Sequence, residues 1–304
     1  MTRRPTLPFP LLPDLAVELE RLVAQIPRGS LTTYGDLARA LGTRHAAIWA
    51  HKWTRERAIK DPGIAKRVVG KGDAGRKTPF IEFSGSPPLG PLEAWLQKAA
   101  GVVDERRLKA APRLVAGIDV AYPAPDRATA AAVLVDVCER KVIHELVVER
   151  SVVFPYISGF LTFRELPAMI AACEELIKAA ERPDVVMIDG QGRLHPHRGG
   201  VATGFAAASG IPTIGIAKSL LCGKVEPSPE KGTRPVVERV MVGDEQLGYA
   251  VRTTPKFSPI YVSVGGWLSL DDALSTTLAV LTTTRLPLPT HRADRLSKKK
   301  QPKG

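Results

Sequence analysis

The sequence predicts an α/β protein, with a mixed sheet domain preceded by a smaller helical domain of winged-helix pattern. Three observations predict it. Val- and Ala-rich apolar runs recur between residues 113 and 218 and alternate with helical stretches. Three helix-length segments, then two short apolar runs around a Gly-rich turn, fill residues 14–83. The length of 304 residues suits two domains of about 100–200 residues each. With 44% hydrophobic and 24% charged residues, each part has apolar mass for a core, which excludes a disordered or collagen-like chain. The expected division is an N-terminal domain at 1–103, a second domain at 104–290 and a basic tail at 291–304.

Each element has its local reason. In DLAVELERLVAQ, Leu15, Leu19, Leu22 and Val23 share one helical face behind an Asp14 cap. Thr33 caps a short helix, Tyr34–Leu41, that stops at Gly42. A third helix, about 44–60, carries Arg44, His45, Lys52, Arg55, Arg57 and Lys60. RVVGKGDAGRKTPFIEF reads as two strands around a Gly-rich turn, the wing of a winged helix whose third helix enters the major groove. SGSPPLGP is a connector, and residues 92–110 read as a helix. RLVAGIDVAY, AAAVLVDV and KVIHELVVE follow as strands, the last two forming a hairpin. Then come a helix (161–181), a strand (183–190), a small-residue helix (199–210) and a strand ending at Lys218.

Charge is unevenly placed. The chain carries 43 Lys/Arg against 31 Asp/Glu, a net +12. Residues 1–103 hold 16 basic and 9 acidic groups, residues 104–290 hold 21 of each, and residues 291–304 hold 6 against 1. A basic segment clustered from Arg44 to Lys77 points to a polyanion, with affinity that falls as salt rises. No apolar run reaches the roughly 18 residues of a membrane span, and the N-terminal stretch does not fit a signal peptide. The three scattered cysteines suit a reducing, cytoplasmic setting.

Two acids stand inside apolar strands, Asp119 and Asp189. A buried carboxylate is costly unless paired or bound to metal. Sites in open α/β sheets form at the carboxyl ends of strands. Side by side there, the two acids suit Mg²⁺, which takes few carboxylates and leaves positions for water and phosphate. From the residues alone, the reading is a Mg²⁺-dependent phosphoryl-transfer site. Its bland counterpart is a pair of loop-capping aspartates.

GIDVAY, PYISGFLTFRE, IDGQGRLHPHRGGVA and GIAKSLLCGKVE resemble the endonuclease V family over about residues 104–290. The resemblance implies an RNase H-like mixed sheet. It implies cleavage of DNA at the second phosphodiester 3′ to a deaminated base, chiefly deoxyinosine, with Mg²⁺ or Mn²⁺. Position by position, Asp119, Glu165 and Asp189 match the family's metal carboxylates and Lys218 a lysine near the scissile phosphate. Tyr156 matches the wedge that fills the space of an extruded base, with Ser158 where the family has proline. Gly159, Leu161, Gly190, His195, Gly200, Val201 and Leu221 match its lesion pocket. Two departures are expected to matter: Gly266, followed by Trp267, stands at the position read as the family's metal-side histidine, and Gln191 replaces another histidine. His197 is a candidate substitute.

IPRGSLTTYGDLARALG and KRVVG resemble the DNA-binding domain of O6-alkylguanine-DNA alkyltransferases over about residues 15–103. Tyr34, Ile48 and Arg67 fall on its DNA-contacting positions. Ala65 replaces the alkyl-accepting cysteine, so no thiolate is available for transfer. Three readings follow: a deoxyinosine endonuclease with an appended DNA-binding domain, a non-cleaving damaged-DNA binder, and an inosine-specific endoribonuclease.

Overall fold

The structure, a computed structural model, describes residues 4, 6–27, 29–72, 81–227 and 235–299. The chain forms two compact units. One comprises residues 10–95 and 154–164, the other residues 1–9, 96–153 and 165–304.

The smaller unit opens with α1 (Leu15–Ala24), capped by Asp14 Oδ1 accepting from Ala16 N at 3.0 Å and Val17 N at 3.2 Å. Its Leu15, Leu19, Leu22 and Val23 are buried, the face the spacing predicts. A short β1 (Thr32–Thr33) leads into α2 (Tyr34–Leu41), which starts with a Thr33/Asp36 capping box. It ends at Gly42, whose φ of +114° favours glycine. A 3₁₀ turn at Arg44–Ala46 precedes α3 (Ala47–Ala58), and α4 (Pro62–Ala65) and β2 (Val68–Val69) follow. The expected wing is not what Val68–Val69 forms. They pair in parallel with Thr32–Thr33, because Thr32 N donates to Arg67 O and draws the two segments together. The turn of that wing, 73–80, lies outside the described residues. Residues 154–164 return to this unit, where buried Phe163 meets the rings of Trp95, Phe154 and Phe160 at 5.7, 5.9 and 6.1 Å.

α5 (Gly90–Val102) ends sooner than the predicted 92–110, at the β-branched Val102–Val103 pair. The larger unit is a mixed α/β fold on one sheet. Its strands are β3 (Leu114–Ala124), β4 (Arg127–Asp136) and β5 (Lys141–Ser151); then, after α6 (Leu161–Ala179), β6 (Val185–Asp189); then, after α7 (Val201–Ser209), β7 (Thr213–Ala217). Beyond these lie β8 (Lys224–Glu226), β9 (Val236–Val242), β10 (Glu245–Arg252), β11 (Ile260–Gly266), α8 (Leu270–Ala279) and α9 (Leu288–Ser297). The nine-stranded order is β5-β4-β3-β6-β7-β11-β10-β9-β8, with β3, β6 and β7 parallel in the middle and the other pairs antiparallel.

Side chains alternate across each strand, which assigns the two faces. Val115, Val185, Met187, Ile214, Ile216, Val262 and Val264 form one core with Leu268 and with Ala273 on α8. Gly117, on the Val115 side, lies against Pro289 of α9. Gly190, next to Asp189 and on the opposite side, lies against Val201 of α7. The expected tail at 291–304 is therefore corrected through residue 297: it belongs to α9, where Pro289, Thr290, Ala293 and Ser297 are buried.

A candidate metal centre at the carboxyl ends of the parallel strands

Register places the acids. Ile118 of β3 pairs with Ile188 of β6, so Asp119 and Asp189 follow level on neighbouring strands and point to the α9 face. Asp189 pairs with Ile216 of β7, and Lys218 lies two residues beyond on that same face. The third acid comes from α9. Oxygens of Asp119, Asp189 and Asp294 all lie within 4.8 Å of one another. Glu165 stands outside this trio. It is buried on α6 and accepts a hydrogen bond from the Tyr122 hydroxyl of β3 at 3.4 Å.

Two ammonium groups and a hydroxyl hold the cluster. Lys218 Nζ lies 2.5 Å from Asp189 Oδ2 and 2.5 Å from Asp294 Oδ1. Lys298 Nζ lies 2.7 Å from the same Asp294 oxygen. Ser297 Oγ donates to Asp119 Oδ2 at 2.5 Å. Burial, then the Asp189 charge, push the Asp119 carboxyl up to about 7, with the Ser297 hydrogen bond and Lys218 pulling the other way. Burial would lower the Lys218 ammonium, but its bonds to Asp189 and Asp294 outweigh it and hold the group above its ordinary range. Burial would likewise raise Asp294, yet Lys218 and Lys298 hold it below the usual carboxylate value. Three converging carboxylates, all hard oxygen donors, suit Mg²⁺ or Mn²⁺. An ammonium already drawn between two of them marks the point as favourable for a cation.

Close beside this cluster two glycines let the chain pack tightly. A Cβ at Gly190 would fall 2.4 Å from Val201 Cγ1, and one at Gly200 would fall 2.2 Å from the Gln191 carbonyl oxygen. Both positions admit only glycine. Gln191 Nε2 donates to Ser219 O at 2.8 Å, tying this loop to the one after β7, where Leu221 is exposed. His195 Nδ1 accepts from His197 N at 3.2 Å, so the ring carries its proton on Nε2 when neutral. Burial, then the neighbouring His197, press His195 down to about 4.

Gly266 is not beside the acids. A Cβ there would meet Val103 Cβ at 2.6 Å and Ala206 Cβ at 3.0 Å, on the face covered by α7. The register shift between Val264 and Gly266 turns the residue that way. The expectation that position 266 lies on the metal side, where loss of a histidine would weaken metal binding, is therefore corrected. His197 lies with His195, ring centroids 5.7 Å apart, and is not a member of the acid trio.

In the smaller unit, Tyr34 meets His51 edge-on at 4.6 Å, and Arg67 Nε donates to Gly63 O at 3.2 Å. Ile48 is 85% exposed on α3, and Tyr156 is 67% exposed. Gly159 has a φ of +85°, and Leu161 begins α6.

The family model described as Endonuclease V matches residues 97–295. The endonuclease V of Xanthomonas oryzae pv. oryzae (strain PXO99A) is 40% identical over 206 residues, 67% of this chain and 84% of that one.

The chain belongs to the endonuclease V family.

Among solved structures, the endonuclease V of Streptomyces avermitilis is 34% identical with a TM-score of 0.61, covering 69% of this chain and 91% of that one. The endonuclease V of Ciona intestinalis is 25% identical with a TM-score of 0.60, covering 69% of this chain and 96% of that one. The Ciona protein was solved in complex with a 24mer DNA containing an inosine followed by a ribo-adenosine. The sheet is accordingly the RNase H-like sheet of this family, and the chain is a nuclease, a hydrolase of phosphodiester bonds. Asp294 is the site residue that sequence reasoning missed. The signal for it is present: it is the single acid among six basic residues from 291 to 304.

Proposed function

We propose that this endonuclease V hydrolyses DNA at the second phosphodiester 3′ to deoxyinosine, using Mg²⁺, or Mn²⁺ in its place. The carrying observation is the trio of Asp119, Asp189 and Asp294 converging within 4.8 Å. These three would hold the cation, with Glu165 of α6, which accepts from Tyr122 of the strand that carries Asp119, as a further carboxylate. When bound, the cation polarises the phosphodiester and lowers the pKa of an attacking water. Lys218, released from Asp294, offsets negative charge gathering on the phosphate. Gly190 and Gly200, whose missing Cβ atoms let Val201 and the Gln191 main chain pack against them, are the positions we assign with Val201 and Leu221 to the purine pocket. His195, neutral above pH 4, offers Nε2–H as a donor. Tyr156, with Gly159 and Leu161, are the further positions assigned to the extruded base; flipping a weakly paired base costs a few kcal/mol.

The smaller unit we read as an alkyltransferase-like DNA-binding domain that transfers no alkyl group, Ala65 being unreactive. Tyr34, Ile48 and Arg67 are its proposed DNA contacts, and its charge supplies generic affinity. Free Cys138, Cys173 and Cys222 suit a reducing compartment such as the cytoplasm. No helix among the described residues is long and apolar enough to cross a membrane.

The test is a nicking assay on inosine duplexes with Mg²⁺ and Mn²⁺ titrations. Wild type is expected to nick, with Asp119→Ala and Asp189→Asn inactive. A wild type that never nicks at any metal level refutes the reading and favours a damaged-DNA binder. The ribo-adenosine in the Ciona complex favours one second reading, inosine-containing RNA, which matched RNA and DNA strands separate.

A further inference from the structure

We propose that Ser297 is a positioning residue of the metal centre: its hydroxyl fixes the Asp119 carboxylate in the orientation that lets the three acids share one cation. The inference rests on the metal-dependent reading above. Ser297 is 4% exposed and Asp119 7%. Ser297 Oγ lies 2.5 Å from Asp119 Oδ2 and 3.1 Å from its own helix's Asp294 carbonyl. A serine has one proton to donate. At 2.5 Å from a carboxylate, the charge-assisted bond takes it, although the same hydroxyl could have served its own helix.

The bond has mechanical content. Asp119 sits beside two like charges, Asp189 and Asp294, and repulsion favours turning its carboxylate away from them. Holding Oδ2 from α9 fixes the carboxylate plane, and with it the place of the other oxygen. Ser297 and Asp294 are three residues apart on one face of α9. Docking that single helix therefore delivers one acid of the trio and orients another. Groups that orient metal ligands in this way typically carry about 10–100-fold of metal affinity.

The experiment is Mn²⁺ calorimetry on the full chain, comparing wild type, Ser297→Ala, Ser297→Thr and Ser297→Val. Thr and Val add almost the same volume, but only Thr keeps the hydroxyl. Ala and Val are expected to weaken Mn²⁺ binding by about 10–100-fold, and Thr to stay within about threefold of wild type. Nicking at saturating Mn²⁺ should persist in Ser297→Ala, with the half-maximal metal concentration moved upward. Equal affinity in Ser297→Ala and wild type overturns the inference while leaving the metal site standing. So does Thr as weak as Val, since volume would then be the cause. A wild type that binds no Mn²⁺ overturns the inference together with the metal-dependent reading.

Discussion

Gly117→Ala adds one methyl group at the seam between β3 and α9. In the structure that carbon would fall 2.2 Å from the Pro289 carbonyl carbon, 2.5 Å from its oxygen and 2.5 Å from Thr290 N. Ordinary carbon contacts lie at about 3.5–4.0 Å, so strand and helix must part by about 1.5 Å. The opposing atoms are main chain and cannot swing aside. Overpacking of this kind costs about 1–3 kcal/mol. The unfolded-state gain of replacing glycine returns about 0.4–1 kcal/mol. For a domain of this size each kcal/mol moves Tm by about 2–4 °C, so the net cost, at most about 2.6 kcal/mol, lowers Tm by up to about 10 °C. Activity should fall further than stability does. α9 carries Asp294 and Ser297, and misplacing reacting groups by about 1 Å can cost about 100-fold. The assay pairs thermal melts with nicking rates, using Gly101→Ala as the control. Nothing lies within 4 Å of a Cβ at Gly101, inside α5, and alanine there should stabilise by about 0.5–1 kcal/mol. A Gly117→Ala protein that melts and cuts like wild type refutes the argument. One that melts early but binds Mn²⁺ normally refutes the claim that α9 docking sets the metal site.

Asp294→Asn keeps the shape of the side chain and removes its charge. Unit charges about 4 Å apart at an effective permittivity of about 20 interact by about 4 kcal/mol, so Mn²⁺ binding should weaken on the order of 10²- to 10³-fold. Calorimetry giving a Kd within threefold of wild type would dismiss Asp294 from the site. His195 supplies a pH test. Its folded pKa of about 4 lies below the ordinary 6.5, so the unfolded chain takes up the proton first. That contribution to metal-free stability is present above pH 6.5 and is lost as pH falls from 6.5 toward 4. Asp119, raised to about 7, acts in the opposite sense over the range between its ordinary value and 7, so the comparison must be wild type against His195→Gln. Urea midpoints at pH 7 and 5 should differ less in His195→Gln once the shared Asp119 effect is subtracted. Identical differences would show that His195 does not titrate as described.

The central strands of the larger unit and two of its three clustered acids were legible for one physical reason. A parallel strand buried on both faces reads as a continuous apolar run, and an acid inside such a run is conspicuous. Asp119 and Asp189 are of this kind. The short elements were harder to read. Val68–Val69 has strand character, but nothing local distinguishes a hairpin from a parallel bridge to Thr32–Thr33, whose partner lies far along the chain. β8, β9 and β10 are partly exposed, with charges interrupting their alternation, and leave no unbroken run to find. Gly266 misled for a different reason. Motif alignment assigns a position, but the register shift at Val264/Gly266 decides which face that position meets.

α9 shows where sequence reasoning ends. Its charge suggests a solvated tail, and its mean composition is polar. The face that docks is built from Pro289, Ala293 and Ser297, small groups spaced by four, with Thr290 alongside. Such a stripe attracts no notice alone, because small side chains bury little area. It becomes a docking surface only opposite Gly117, Ala131 and Val133, which leave room for a helix backbone to approach. The closeness of that approach brings Asp294 and Ser297 to Asp119. The metal-site residue hardest to see in the sequence is thus carried by the helix whose packing depends most on an absent side chain, so Gly117, which touches no substrate, should constrain the chemistry as tightly as a member of the acid trio does.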